Sequence, residues 1–382
     1  MHPAFVKNER NGAQKRTGGR IDMRVLVLLV LLLLAGLVSL FSASYYNFQD
    51  SGDAFAKVRQ QLAGIALGAV AMAVLSRIDY HLFQKTSVVL ALLALSAALL
   101  AAVLVPGVGV LANGSRRWLR IAGVSFQPSE LAKFAMVVFM AKALDNKGAR
   151  IRKLWGIVPP LLVPGAMFLL ILQQPNLSTA GSILIVAFVM VAVAGARKVH
   201  LALFGVGGLA LGAFYAWSEP YRRERLLSFR DPFAKMSDEG YQLSQSLIAI
   251  GSGGLFGMGL GQGRQKTAYL PYPESDFIFA SIAEDFGLFG CAAVVVLFVL
   301  FVYAGVRVAL RCPDRFGCLL AAGITAMIGV QAFLNMGVVV GLLPTTGLPL
   351  PFFSAGGTSI SIFMAAVGVL LNISRFDEMR VR

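Results

Sequence analysis

Apolar residues run in membrane-length blocks along nearly the whole chain, and polar residues are confined to the stretches between them. Blocks of about eighteen or more residues match what a helix needs to cross a hydrocarbon core of about 30 Å. The short alternating segments of a transmembrane barrel do not occur. The pattern predicts an all-α polytopic membrane protein of ten helices. Their approximate ranges are 25–42, 60–75, 87–105, 131–144, 154–172, 177–195, 199–217, 277–310, 316–340 and 359–373. The eighth is too long for one straight crossing, so a break is expected near Gly287 or Gly290. Residues 25–374 read as a single membrane domain, with a basic tail at 1–24, expected to be disordered, and a short tail at 375–382. The first apolar run is too long for a signal peptide and lacks a small-residue cleavage site, so it reads as a retained helix.

Charge sets the orientation. With the first residue in the cytoplasm, the segments 10–20, 77–85, 147–153, 197–198, 307–315 and 375–382 all face inward, and all are basic. Both tails are then cytoplasmic, and residues 218–275 become a large extracytoplasmic loop. The net charge of +15 is explained without a nucleic-acid partner. Two outer segments break the rule. One carries Arg116, Arg117 and Arg120; the other, the long loop, carries Arg222, Arg223, Arg225, Arg230, Lys235, Arg264 and Lys266. Long loops translocate whatever their charge, but the compact arginine cluster is not covered by that exemption and points to an anionic ligand outside. The three cysteines show no CxxC spacing and the three histidines are scattered, so neither a disulfide framework nor a histidine metal site is expected.

Candidate chemistry gathers in the polar stretches. In 113–120, guanidiniums beside Trp118 suit a pyrophosphate and a sugar face, since Arg forks match phosphate oxygens and indole offers a stacking surface. An interfacial aromatic-plus-arginine anchor is the plainer alternative. Glu130 and Lys133 sit three apart on one helix face, where mutual pairing is as good an explanation as ligand contact. The run 251–263 is glycine-rich but matches no nucleotide-binding motif, and reads as a flexible or re-entrant segment lining a cavity. Asp276 stands where the chain re-enters the membrane, a costly place for a carboxylate. Glu284 lies eight residues on, ~12 Å along a helix, beyond the ~5–9.5 Å of paired glycosidase carboxylates. A single general base remains possible, because partial burial raises an aspartate pKa towards a useful value. A helix cap is the competing role.

Taken together, these blocks resemble the SEDS family (shape, elongation, division and sporulation), which includes FtsW, RodA and their sporulation homologue. The residues carrying the resemblance are Gly114–Trp118 with Gln127–Lys133, Arg230–Phe233 with Gly240–Gln242, Gln265-Lys266 before Tyr269-Leu270-Pro271, Ser275–Phe279 with Ala283-Glu284, and Asn335 with Pro344–Ser359. The resemblance covers nearly the whole chain after the basic tail. It implies a peptidoglycan glycosyltransferase that polymerises lipid II at the outer face of the inner membrane and releases undecaprenyl pyrophosphate. A class B penicillin-binding protein, and other divisome or elongasome membrane proteins, are the implied partners. Asp276 falls on the family's essential aspartate. Arg116 or Arg117 and Trp118 fall on its first outer block, Lys133 on its conserved lysine, and Glu130, Lys266, Glu284, Ser354, Gly356 and Gly357 within its matching blocks. These ten are candidate substrate contacts. A divalent cation, magnesium or manganese, is a candidate cofactor. Two departures stand out: Pro273-Glu274-Ser275 lacks the family's histidine before the aspartate, and Asn176 and Ser178 replace an Asp and a Gly after the fifth helix. The basic tail, Ser42-Ala43-Ser44 and Gln265-Lys266 favour an FtsW-like division role over a RodA-like elongation role. A lipid II flippase, or a non-catalytic scaffold activating the penicillin-binding protein, are the alternatives; intramembrane charges near one face argue against the first.

Overall fold

The structure is a computed structural model describing residues 19–376, apart from 50–52, 54, 113–114, 122–123, 218–222, 224–228 and 235–239. Most of both tails, and Arg222, Arg225 and Lys235 of the long loop, lie outside the described residues.

All ten expected helices are present: α1 Met23–Gln49, α2 Ala56–Leu75, α3 Thr86–Leu104, α4 Pro128–Lys147, α5 Leu154–Leu172, α6 Leu177–Val193, α7 Lys198–Trp217, α9 Ile278–Arg311, α10 Arg315–Val339 and α11 Gly357–Ser374. Among the described residues, seven of them (α1, α2, α3, α5, α9, α10 and α11) are long and apolar enough to cross a membrane. Two elements were not expected. A further helix, α8 (Tyr241–Gly253), forms inside what read as polar loop. Residues 106–130 also hold a three-stranded antiparallel sheet: β1 Gly109–Ala112, β2 Ser115–Ile121 and β3 Val124–Phe126. Strands of seven residues or fewer are too short to show a two-residue period against an arginine-rich background. The all-α reading holds for the membrane core, and the sheet corrects it only at one end.

Burial sorts the helices into layers. In α11, 83% of the apolar window is buried, against 17% in α2 and 22% in α3. Helix α4 is buried along most of its length, Glu130 and Lys133 included. A helix enclosed by other helices can carry charges that lipid would not tolerate, provided they are paired inside.

The break in α9 falls at Gly287, whose φ of 65° and ψ of −159° leave helical space. The left-handed region costs a residue with a Cβ far more than glycine. A Cβ there would also lie 2.4 Å from the Gly257 amide nitrogen. The segment after α8 is thus packed against the kink.

At the other end of the bundle the chain's described termini meet. Gly19 donates its amide to the Arg375 carbonyl at 2.7 Å, and Asp22 its amide to Ser374 Oγ at 2.9 Å. Tyr80, before α3, donates its hydroxyl to Asp314, and burial with these neighbours holds its phenol far above the usual range. The chain therefore begins and ends its helical bundle at the same end.

Gly287→Ala is expected to cost about 1–3 kcal/mol, from backbone strain and the clash with Gly257. Gly251→Ala, where a Cβ meets open space, is the neutral control. Comparing thermal unfolding midpoints of the two variants checks this.

Candidate functional site

The irregular run before α9 carries the central carboxylate. Tyr272 within it has φ 52°, a strained conformation for a non-glycine residue. Asp276 is half-buried and accepts a hydrogen bond from Ser275 Oγ at 3.1 Å. The N-cap of α9 is Phe277, with no side-chain cap. Asp276 therefore does not hold the capping position.

The loop between α10 and α11 fixes this run from the other side. Ser354 Oγ donates to the Ser275 carbonyl at 2.6 Å and accepts the Leu350 amide at 2.8 Å. The Ala355 amide donates to the Glu274 carbonyl at 2.8 Å. Asn335, buried on α10, donates to the carbonyls of Asp276 and Leu348, both at 2.7 Å. One amide thus ties the catalytic candidate to the loop. Gly356 donates its amide to Gln61 Oε1 at 3.2 Å, and Gly357 opens α11 against Gly64 of α2. Ser354, Gly356 and Gly357 consequently hold backbone in place.

The sheet supplies the cation. Val110 faces Trp118 and Leu111 faces Arg116, so Arg117 is the extra residue of a bulge in β2. Bulges re-aim side chains. Arg117 donates to the carbonyls of Gln174 (3.3 Å) and Pro175, at the corner between α5 and α6. A Cβ placed on Gly347 would lie 3.3 Å from Asp276 Oδ2 and 3.6 Å from Arg117 Nη1. The carboxylate and the guanidinium therefore both lie against Gly347, where a Cβ would crowd them. Arg116 and Trp118 are partly exposed on the same strand.

The remaining candidates are placed elsewhere. Lys133 pairs with Glu130 at 2.8 Å, both 1% exposed, and also donates to Gln331. Gln331 in turn donates to the Pro349 carbonyl at 2.9 Å, so this pair reaches the site through the loop. Lys266 meets Asp285, and Glu284 accepts the backbone amides of Gln265 and Lys266 at 2.8 and 3.3 Å. Both carboxylates serve one turn of the long loop, from the helical turn just before the Gly287 break. Asn335, Gly347 and Glu274 were missed as site residues. Asn335 alone had a signal, as an amide inside an apolar helix. Glu274 is 6% exposed, and its Oε2 has no hydrogen-bond partner among the described residues.

The FtsW/RodA/SpoVE family, described as Cell cycle protein, matches residues 23–379. The chain belongs to this family. It is 42% identical over 362 residues to Stage V sporulation protein E of Bacillus subtilis strain 168, covering 94% of this chain and 98% of that protein. Against the Probable peptidoglycan glycosyltransferase FtsW of Geobacter sulfurreducens it is 40% identical over 357 residues, with 93% and 95% coverage. Among solved structures it resembles a chain from work on structural coordination of polymerization and crosslinking by a peptidoglycan synthase complex. The TM-score is 0.78 at 30% identity, covering 93% of this chain and 98% of that one. The rod shape determining protein RodA of Thermus thermophilus gives a TM-score of 0.69 at 29% identity, with 94% and 98% coverage. Like those family members, this chain is a multi-pass membrane protein.

Asn335→Leu leaves two buried carbonyls without their donor, at about 1–3 kcal/mol for each group. A lowered unfolding midpoint, with accelerated proteolysis in 344–356, is the expected result.

Proposed function

We propose that this chain is a peptidoglycan glycosyltransferase that polymerises lipid II at the outer face of the cytoplasmic membrane, in an FtsW-like division role. The observation that carries the reading is the placement of both Asp276 and Arg117 against Gly347. A base and a cation this close together suit attack on a sugar whose leaving group is a pyrophosphate.

In this mechanism Asp276 takes the proton from the 4-hydroxyl of the acceptor GlcNAc. The freed oxygen forms a bond to C1 of the donor MurNAc as the bond from C1 to the pyrophosphate breaks, with inversion. Undecaprenyl pyrophosphate leaves with the electron pair. Arg117, aimed by its bulge, stabilises the developing charge on the phosphate, with Arg116 beside it and Trp118 as a sugar-stacking surface. A single base suffices because the leaving group is already activated. Glu284 is engaged by two backbone amides, which supports leaving it out of the proton transfer. Among the described residues there is no group of three or more His, Cys, Asp or Glu side chains that could hold a metal ion, and no step is routed through one.

The meeting of Gly19 with Arg375 supports placing both tails on one side, and basic connections make that side the cytoplasm. A class B penicillin-binding protein is the proposed partner, supported by the likeness to the chain of a peptidoglycan synthase complex. An elongation or sporulation role is the second reading within the family, supported respectively by the likeness to RodA and by the 42% identity to the sporulation protein.

Given labelled lipid II and its partner, the purified protein is expected to make glycan chains that are lost in Asp276→Ala while lipid II binding persists. Chains persisting in that variant would sink the base assignment. Lipid scrambling in liposomes without polymer would instead revive the flippase reading, and polymer made by the partner alone the scaffold reading. Arg117→Ala is expected to lower kcat by about a hundredfold, as removal of one preorganised charge-stabilising donor does, and Arg116→Ala by less; equal losses would remove the special role of the bulge.

A further inference from the structure

The stretch leading to Asp276 has a second anchor, far along the chain from the loop at 344–356. Lys266 and Asp285 form an ion pair in which both side chains are 1% exposed. Lys266 Nζ also donates to Ser42 Oγ of α1 at 2.7 Å. The Ser42 hydroxyl donates to the second oxygen of Asp285 at 2.6 Å and accepts the Gly261 amide at 3.2 Å. One donor and two lone pairs are all that a hydroxyl has, and each is used. Beside this cluster the Glu284 carboxylate, fully buried, receives the amides of Gln265 and Lys266. Three charges and a hydroxyl thus join α1, the long loop and the last turn of α9 before the Gly287 break.

A lysine that grips an anionic substrate has to reach it. Lys266 instead directs its ammonium into a buried carboxylate and a buried hydroxyl. The run from Gln265 to Asp276 is short, a π-helical turn over Gln265–Tyr269 followed by irregular backbone, with Tyr269 and Tyr272 54% and 55% exposed. It is held at its far end by Asn335 and Ser354, and at its near end by this cluster. Displacing a reacting group by about 1 Å is enough to cost about a hundredfold in rate.

We propose that Lys266, Asp285 and Ser42 form a positioning clasp that fixes the run 265–276, so that Asp276 is held towards its substrate, and that Lys266 itself makes no substrate contact. The clasp rests on the reading of Asp276 as the base. It gives α1 a direct mechanical link to the site: a change at Ser42 reaches the loop without passing through the bundle core.

The test compares full-length protein in nanodiscs, with its partner, as wild type, Lys266→Met, Asp285→Leu, Ser42→Ala and the double variant Lys266→Met/Asp285→Leu. Hydrogen–deuterium exchange over residues 264–276 is read alongside kcat and KM for lipid II. Each single charge deletion is expected to raise exchange in that run and to lower kcat about tenfold, with KM changed less than about twofold. The double variant removes both members of the ion pair and leaves Glu284 on its two backbone amides, so it is expected to recover about half or more of the lost protection and rate. Ser42→Ala keeps both charges and gives a smaller loss in the same direction. Should a single variant fail to fold, the double variant alone decides, since it lacks Lys266 yet is expected to keep the wild-type KM. A KM raised in both Lys266→Met and the double variant, with exchange unchanged, overturns the proposal in favour of a substrate contact. Unchanged exchange in every variant overturns it outright. If Asp276→Ala still polymerised, the base reading would fall, while the exchange data would still decide whether the clasp orders the loop.

Discussion

Irregular backbone inside a membrane protein is tolerable only where its polar groups are met by other protein groups. The chain satisfies this for the run before α9 by laying a second irregular run against it. Asn335 supplies one donor to each run, and Ser354 and Ala355 close the remaining gaps. Neither segment is a regular element, yet together they form a rigid floor beneath Asp276. The enclosing helices follow from this floor. α11 begins where the second run ends, with Gly357 against Gly64, and α10 presents Asn335 and Gln331 one turn apart on the face that meets the loop.

The same constraint governs the charges. Lys133 with Glu130, and Lys266 with Asp285, are buried and paired, because an unpaired ion at that depth costs several kcal/mol. Such pairs are weak evidence for stability, since apolar replacements of both partners are often as good. Their value here is geometric. Each ties a segment of the site to a helix: Lys133 through Gln331 to the Pro349 backbone, and Lys266 to the turn that leads into residues 270–276. Arg117 in turn donates to the carbonyl oxygens of Gln174 and Pro175, which tie the bulge to the corner between α5 and α6.

Much of this was legible in the chain because apolar runs and glycine are strong, local signals. The ten helices and the kink at Gly287 follow from length and from the one residue able to turn there. The short strands around Trp118 and the helix Tyr241–Gly253 were not legible, since both are stabilised by packing that periodicity does not encode. At the site, Asp276 and the arginine cluster could be picked out as costly or misplaced charges. Which arginine faces the carboxylate could not, because a bulge depends on register with β1. The partners of Lys266 and Glu284 were hidden as well, since both are held by residues or backbone from other elements; only the Glu130–Lys133 pair is local enough to read from spacing.

These placements also separate residues that composition would group together. Among the ionisable side chains near the site region by sequence are Glu130, Lys133, Lys266, Asp276, Glu284 and Asp285. Five of them are buried to 2% exposure or less. Asp276 is the one that is half-buried, with its carboxylate close against Gly347. Under the proposed mechanism the group that exchanges a proton with the substrate needs both access and a fixed backbone. Asp276 has the first in its partial exposure and the second through Asn335, and the five buried charges tie together the segments around it.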